Sequence, residues 1–332
     1  MINIAVLGCG RIGQVHAGNL MGMEGARVAA VSDPVPAAAQ ALAARTGAPV
    51  MDIDAILADP GIDAVVIGTP TTTHFDLIHA AATSGKAIFC EKPIDLSSER
   101  IRACLSVVDR HGVPFFVAFN RRFDPNFRAL KRQIDDGAVG DVEMITILSR
   151  DPAPPPIAYI KSSGGLFRDM MIHDFDMARF LLGEDPVEVF AYGACLVDAA
   201  IGAVGDVDTA LVSLRTASGK LCQISNTRRA TYGYDQRVEV HGSAGMAQVG
   251  NVLTSTVEVS NARGFCRAPA EPFFLERYRD AYRAEMQHFV EVLSTDAAPS
   301  PDGTDGFKAQ VMADAADASC RSGQPQALDF TR

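Results

Sequence analysis

Ile2-Asn3-Ile4-Ala5-Val6-Leu7-Gly8-Cys9-Gly10-Arg11-Ile12-Gly13 decides how the first third of the chain is read. Ile2–Leu7 is an apolar run of the length of one buried strand. Gly8, Gly10 and Gly13 follow at once with G-x-G-x-x-G spacing, a weak signal by itself. Here it closes a strand and opens a helix carrying Ile12, Val15 and Leu20, the context that gives it meaning. The first two glycines let backbone N–H groups approach a pyrophosphate, and the third lets the helix pack close to the strand. The helix N-terminus adds favourable partial charge for an anion. Gly8, Gly10, Arg11, Ile12 and Gly13 are therefore the expected phosphate cradle of a dinucleotide. A second strand, Ala26–Ser32, ends at Asp33, 20 positions beyond Gly13. A carboxylate there takes the adenosine ribose hydroxyls. A 2′-phosphate would meet a like charge, and no cation follows Asp33 until Arg45, so the expected cofactor is NAD rather than NADP.

Further β–α units continue the pattern. Ala64–Gly68 reads as a strand ending in Thr69-Pro70-Thr71-Thr72-Thr73-His74, and Lys86–Cys90 as one ending in Glu91-Lys92-Pro93. Ser97 or Ser98 caps a helix with Ile101, Cys104, Leu105 and Val108 at i, i+3, i+4, i+7 spacing. Phe115–Phe119 is the last strand, closed by Asn120. Strands alternating with helices predict a doubly wound parallel sheet of the Rossmann type over residues 1–120. Ligands of such sheets bind beyond the carboxyl ends of the strands, where Thr69, Pro70, His74, Glu91, Lys92 and Asn120 fall. Lys92, between Glu91 and Pro93 at the mouth of the sheet, is a candidate catalytic residue.

Residues 121–332 read differently. A helix with Phe127, Leu130 and Ile134 is followed by period-two alternation in Val142–Ser149 and a proline-rich loop, Asp151–Pro156. Strands are expected at Val187–Val197, Thr209–Arg215, Lys220–Thr227, Val238–His241 and Thr256–Ser260, with no helices between them. This predicts an α+β domain with a large, mostly antiparallel open sheet. One sheet face should lie on helices. The other, with Thr209, Ser213, Gln223 and Ser225, is neither greasy nor strongly charged. A helix with Tyr278, Tyr282, Met286, Phe289 and Leu293, a linker at Asp296–Gly303 and a helix over 304–322 close the chain; the last can return to the first domain. Between the sheet strands lies Gly164–Leu182. At about 100° per residue, Asp169, His173, Asp176 and Phe180 share one helical stripe beside an apolar face of Leu166, Met170, Met177 and Leu181. A carboxylate four residues before a histidine can polarise it for acid–base work.

The whole chain narrows the function classes. It has 332 residues, is 48% hydrophobic and 21% charged, and carries net charge −10. Nucleic acid or an anionic membrane would call for clustered Lys and Arg. Cys9, Cys90, Cys104, Cys195, Cys222, Cys266 and Cys320 are scattered and odd in number, which suits reduced thiols in a cytoplasm. Met1 leads straight into a strand, leaving no room for a signal peptide, and no apolar run has the length of a membrane span. No metal site is expected, because Asp174 points about 100° away from His173 on a helix and no other cluster completes a ligand set.

With these residues laid out, the chain resembles the Gfo/Idh/MocA oxidoreductase family over essentially its full length. The resemblance rests on Gly8–Gly13, Glu91-Lys92-Pro93 and Asp169-x-x-x-His173. Phe119–Asp124 and Gly164–Asp176 look like the corresponding stretches of its bacterial inositol 2-dehydrogenases. The resemblance implies that Lys92, Asp169 and His173 act together on a ring hydroxyl of a cyclic polyol, with NAD as acceptor. It also implies polyol contacts at Asn120, Arg122, Asp151 and Tyr232, and homotetramers joined through the open sheet faces. Arg168 stands where some relatives carry a bulkier aromatic, a departure that points to another isomer or sugar. The rival within the family is an aldose 1-dehydrogenase acting on a pyranose. Outside it stands an NAD-binding regulator without turnover, which the presence of both Lys92 and His173 disfavours.

Overall fold

The computed structural model describes every residue except Asp296, so the expected linker at Asp296–Gly303 lies partly outside the described residues. In chain order the first elements are β1 (Ile2–Leu7), α1 (Arg11–Leu20), β2 (Ala26–Ser32), α2 (Pro36–Thr46), α3 (Ile53–Ala58), β3 (Ala64–Ile67), α4 (His74–Thr83), β4 (Ala87–Cys90), α5 (Ser98–His111) and β5 (Phe115–Val117). There follow α6 (Pro125–Asp135), β6 (Val142–Arg150), α7 (Ile157–Ser163), a π-turn (Leu166–Met170), α8 (Ile172–Leu182), β7 (Pro186–Ala194), α9 (Ala199–Ala203), β8 (Thr209–Thr216) and β9 (Leu221–Thr227). The chain ends with β10 (Asp235–Gly242), β11 (Gly245–Val249), β12 (Glu258–Asn261), β13 (Gly264–Arg267), α10 (Phe274–Arg277), α11 (Arg279–Thr295), α12 (Gly303–Ser322) and β14 (Gln326–Ala327). Two compact units result. One comprises Met1–Phe123, Asp280–Gln310 and Arg332; the other comprises Asp124–Arg279 and Val311–Thr331.

The first unit is an α/β layer structure around a parallel sheet of order β2-β1-β3-β4-β5. The strand direction of winding reverses between β1 and β3, the place where such sheets open a crevice for ligands. β3 and β4 are buried throughout, as a sheet covered on both faces requires. Among the described residues, the edge beyond β2 is continued only by Val50, which makes a single parallel bridge to Val31. α5 is capped at its start by Ser97, whose side chain accepts the Arg100 N–H, and at its end by Gly112 with φ +63°. Phe89 and Phe116 stack at 5.0 Å, and Phe289 of α11 meets Phe89 edge-on at 5.5 Å.

The second unit is built on a seven-stranded sheet of order β11-β10-β6-β9-β8-β7-β14. Every pairing is antiparallel except β6 with β9. The alternation in β8 puts Ala210, Val212 and Leu214 inward, and α8 packs on β6. The outer face is greasier than its sequence suggested. Besides Ser213 and Gln223 it exposes Met144, Tyr192, Leu211, Leu221 and Met246. Three expectations shift. The short helix α9 stands between β7 and β8, where no helix was expected. The expected strand Thr256–Ser260 is not part of this sheet: its end, β12, pairs only with β13 in a separate ribbon exposed at every position. β7 stops at Ala194, because the buried Asp208 carboxylate draws the N–H groups of Leu196, Val197 and Asp198 out of the ladder at 2.8, 2.8 and 2.9 Å. Among the described residues no helix is long and apolar enough to cross a membrane.

Candidate active site

In the first unit the loop after β1 is shaped by close backbone approach. Gly8 has φ +94°, and a Cβ there would stand 2.7 Å from the Gly68 carbonyl oxygen. A Cβ on Gly13 would stand 1.9 Å from the Gly8 oxygen, whereas Gly10 has nothing within 4 Å. The loop is thus closed towards β3 and open at Gly10, with Arg11 exposed and Ile12 half-buried at the first turn of α1. Asp33 is fixed at the end of β2 by two amides: Cys9 N–H donates to Oδ2 (2.7 Å) and Val35 N–H to Oδ1 (2.8 Å). Each carboxylate oxygen keeps a further lone pair for a hydroxyl. Burial, and then the Asp33 charge, push the Cys9 thiol up to about 11, so it adds no anion beside a pyrophosphate.

The loops after β3 and β4 are tied to each other and to α1. His74, 1% exposed, faces Pro93 O with Nδ1 and Thr69 O with Nε2, both at 2.9 Å. A neutral ring donates to one of these carbonyls, an imidazolium to both. Burial lowers the His74 pKa even though both carbonyl bonds act to raise it. Its nitrogens serve the two loops rather than offering themselves to a ligand. Thr69 Oγ1 accepts from Thr73 Oγ1, and Pro70 is exposed. Glu91 Oε1 accepts from Nε2 of the fully buried His16 on α1 at 2.7 Å. Lys92 is half-buried, and its peptide bond to Pro93 is cis. At the end of β5, Asn120 is 2% exposed, while Arg122 pairs through both terminal nitrogens with Asp305 at 3.0 and 3.2 Å.

In the second unit the expected helix over Gly164–Leu182 is interrupted. Gly164 ends α7 with φ +88°. At Gly165, φ +81°, a Cβ would lie 2.5 Å from Asp206 Oδ1, and that same oxygen accepts the Leu166 N–H at 3.0 Å. The capped segment winds as a π-turn, with Met171 N–H donating to Leu166 O at 2.9 Å, before α8 begins. Asp169 therefore sits on the π-turn and His173 in the first turn of α8, where one uninterrupted stripe was expected. Single π-turns recur at functional sites. Asp176 stays in line with His173 on α8 but is fully buried, as is Asp174, which accepts from Asn226 Nδ2 at 2.9 Å. His173 remains half-buried.

Asp169 is held from two sides. Tyr159 of α7 donates its hydroxyl to Oδ1 at 2.9 Å, and Arg228 Nη2 stands 3.5 Å from Oδ2. The same guanidinium reaches Asp151 at 4.0 Å, so Asp151 and Asp169 share one cation. Tyr232, 52% exposed, donates its hydroxyl to the buried Asp235 at 2.7 Å. Burial, and then that bond, raise the Tyr232 pKa and keep the phenol protonated. Arg168 turns elsewhere, to Asp314 (2.8 Å) and Asp317 (3.1 Å) on α12.

A family model described as an oxidoreductase family with an NAD-binding Rossmann fold matches residues 2–119, and a Gfo/Idh/MocA C-terminal domain model matches residues 127–248. An inositol 2-dehydrogenase from Rhizobium meliloti is 55% identical over 95% of this chain and 96% of its own length. The chain belongs to the Gfo/Idh/MocA oxidoreductase family. A myo-inositol 2-dehydrogenase from Thermotoga maritima is 43% identical over 95% of each chain. The crystal structure of scyllo-inositol dehydrogenase from Lactobacillus casei with bound NAD(H) and scyllo-inositol superposes with a TM-score of 0.92, at 30% identity and 99% coverage of both chains.

The family's nucleotide is NAD, and the residues of this chain fit it: a loop open only at Gly10, an amide-fixed Asp33 and no cation in the three residues that follow. Four partners of these residues carry no local signal in the sequence. His16 lies within α1 and Arg228 just after β9, neither in a recognisable motif, Tyr159 lies in a short helix after the proline-rich loop, and Asp206 precedes β8. Each is recruited from 10 to 75 positions away in sequence. Only a map of contacts reveals them.

Proposed function

We propose that this member of the Gfo/Idh/MocA family is an NAD-dependent inositol 2-dehydrogenase, oxidising one secondary ring hydroxyl of myo- or scyllo-inositol to the ketone. The observation that carries the reading is 55% identity over 95% of the chain with a protein named for that reaction. A carbinol carbon releases hydride readily only as its oxygen becomes an alkoxide, so a base must take the hydroxyl proton. His173 is that base; its reference pKa near 6.5 suits the task around neutrality. Asp169, held by Tyr159 and Arg228, orients the imidazole and offsets the charge it gains. Lys92 stabilises the negative charge growing on the substrate oxygen. NAD, when bound, supplies the hydride acceptor. The amides of Gly8–Gly13 hold its pyrophosphate and Asp33 its ribose, with Thr69, Pro70 and Glu91 lining the same strand ends and His74 bracing them. Asn120, Arg122, Asp151 and Tyr232 contact ring hydroxyls.

The protein works as a cytoplasmic homotetramer on a small polyol, not on nucleic acid. What supports the assembly is the open sheet face, where Met144 lies beside Leu221 and Leu211 beside Tyr192, all between 45% and 65% exposed. Apolar surface of that kind marks an interface. The test of the activity is NADH formation with myo-inositol, scyllo-inositol and the glucose isomers. Turnover of an inositol is expected; turnover of a glucose in preference to both inositols would overturn the reading. His173→Ala and Lys92→Ala should each lower kcat roughly 10²–10⁴-fold while NADH binding, followed by fluorescence, stays at the parent value.

A further inference from the structure

Arg228 is 1% exposed and follows β9 directly. Its backbone is anchored where it lies: the Arg228 N–H donates to Asp208 O at 2.9 Å, and the Asp208 carboxylate is itself buried under the amides of Leu196, Val197 and Asp198. The side chain ends between two carboxylates, 3.5 Å from Asp169 and 4.0 Å from Asp151. Nε and Nη2 are buried and make no hydrogen bond. A guanidinium buried as a structural tie normally spends its donors, because an unmet buried donor keeps its full desolvation penalty. This one is held at ion-pair separation, so its charge is what the two aspartates receive. They in turn keep an accessible edge, with side chains 11% and 23% exposed, so a ligand meets the carboxylates and not the cation behind them.

We infer that Arg228 is a positioning residue of the active site: a cation set behind Asp151 and Asp169 that fixes their separation and limits how strongly Asp169 favours a protonated His173. The inference rests on the reading of Asp169 and His173 as the acid–base pair. Arg228, Asp151 and Asp169 together carry one net negative charge. Without the cation, the negative charge around Asp169 is greater, and an imidazole paired with Asp169 becomes more basic, hence less available as a neutral base. The charged and titratable groups in this surrounding include Tyr159 of α7, donating to Asp169, and Asp174 and Asp176 on α8, both buried, with Asp174 bound by Asn226.

The experiment is an NMR titration of the His173 ring in the full-length protein, assigned with a His173→Asn control, beside the pH profile of kcat/KM. Arg228→Met should move the His173 midpoint and the acid limb upward by about 0.5–1 unit and lower kcat at neutral pH. Arg228→Lys should bring the midpoint back towards the parent. Asp151→Asn, at a partly exposed residue, should move it the opposite way, downward. The ring titration needs no substrate, so it holds or fails whether or not inositol is the polyol. An unmoved midpoint in Arg228→Met, a Lys variant displaced as far as the Met variant, or an upward or absent move in Asp151→Asn would overturn the proposal. The last of these stands even if Arg228→Met does not fold.

Discussion

The residues assigned to NAD and those assigned to the polyol are held in place by different materials. Around Gly8–Gly13 the first unit works with backbone: carbonyls and amides pressed together, an Asp33 fixed by two N–H groups, a His74 spent on two carbonyls. Around Asp169 the second unit works with side chains, a tyrosine and a buried arginine drawn from distant segments. A backbone site fails when a Cβ enters it and is indifferent to most charges. A side-chain site does the reverse, because a cation can be removed without moving the chain. The contrast predicts which substitutions matter where.

The largest effect is expected at Gly13. An alanine Cβ 1.9 Å from Gly8 O cannot be accommodated unless α1 moves away from β1. Overpacking of this kind costs about 1–3 kcal/mol, so the melting temperature should fall, and NADH binding should weaken by at least about 100-fold (about 2.7 kcal/mol). Gly10→Ala, in the same loop with nothing within 4 Å, should melt like the parent and lose only nucleotide affinity. Equal melting of the two variants, measured by scanning fluorimetry, would break the picture of a backbone-built cradle.

The same contrast explains what could be read in the sequence. A backbone cradle leaves its mark in consecutive residues, since only glycine admits such approach, and Ile2–Gly13 and Asp33 were legible with their boundaries. The alternation of β6 to β10 was legible for the same reason, being a repeat of period two. The turn carrying Asp169 was not. Nothing in Leu166–Met170 distinguishes a π-turn from an α-turn. The difference comes from Asp206, 40 positions later, taking the Leu166 amide. Arg228 was invisible because an arginine at a strand end is ordinarily a solvated one, and only the fold buries it.

Glu285 blurs the division in an instructive way. It is an ionisable side chain inside the backbone-built unit, fully buried on α11, and neither carboxyl oxygen has a hydrogen-bond partner. Burial, and then the neighbouring Glu91 charge, raise its pKa well above the ordinary 4.5. The unfolded chain ionises this group from about pH 4.5 upward while the folded one keeps it protonated. The stability it allows is thus complete below that pH and is lost progressively as pH rises towards the folded value. Glu285→Gln removes the titration. Urea melts at pH 5 and pH 8 should show the variant gaining on the parent as pH rises; a difference independent of pH would mean that Glu285 is already ionised in the fold.

The smallest effect is expected at Arg168, the position that looked most like a determinant of the polyol isomer. Its guanidinium is taken up by Asp314 and Asp317 on α12, and Asp317 is shared with Arg321 at 2.9 Å. These are partly exposed pairs, side chains 20% to 30% accessible, and such pairs contribute about 0.2–1 kcal/mol each. Arg168→Met should therefore lower the melting temperature by only a few degrees, roughly 2–4 °C for a chain of this size. The ratio of kcat/KM between myo- and scyllo-inositol should stay within about twofold, or ~0.4 kcal/mol. If the ratio instead moved tenfold or more, Arg168 would have to leave α12 when polyol binds. The second unit would then owe its selectivity to a mobile ion pair, and the rigidity argued for Asp169 and Arg228 would not extend one residue along the turn.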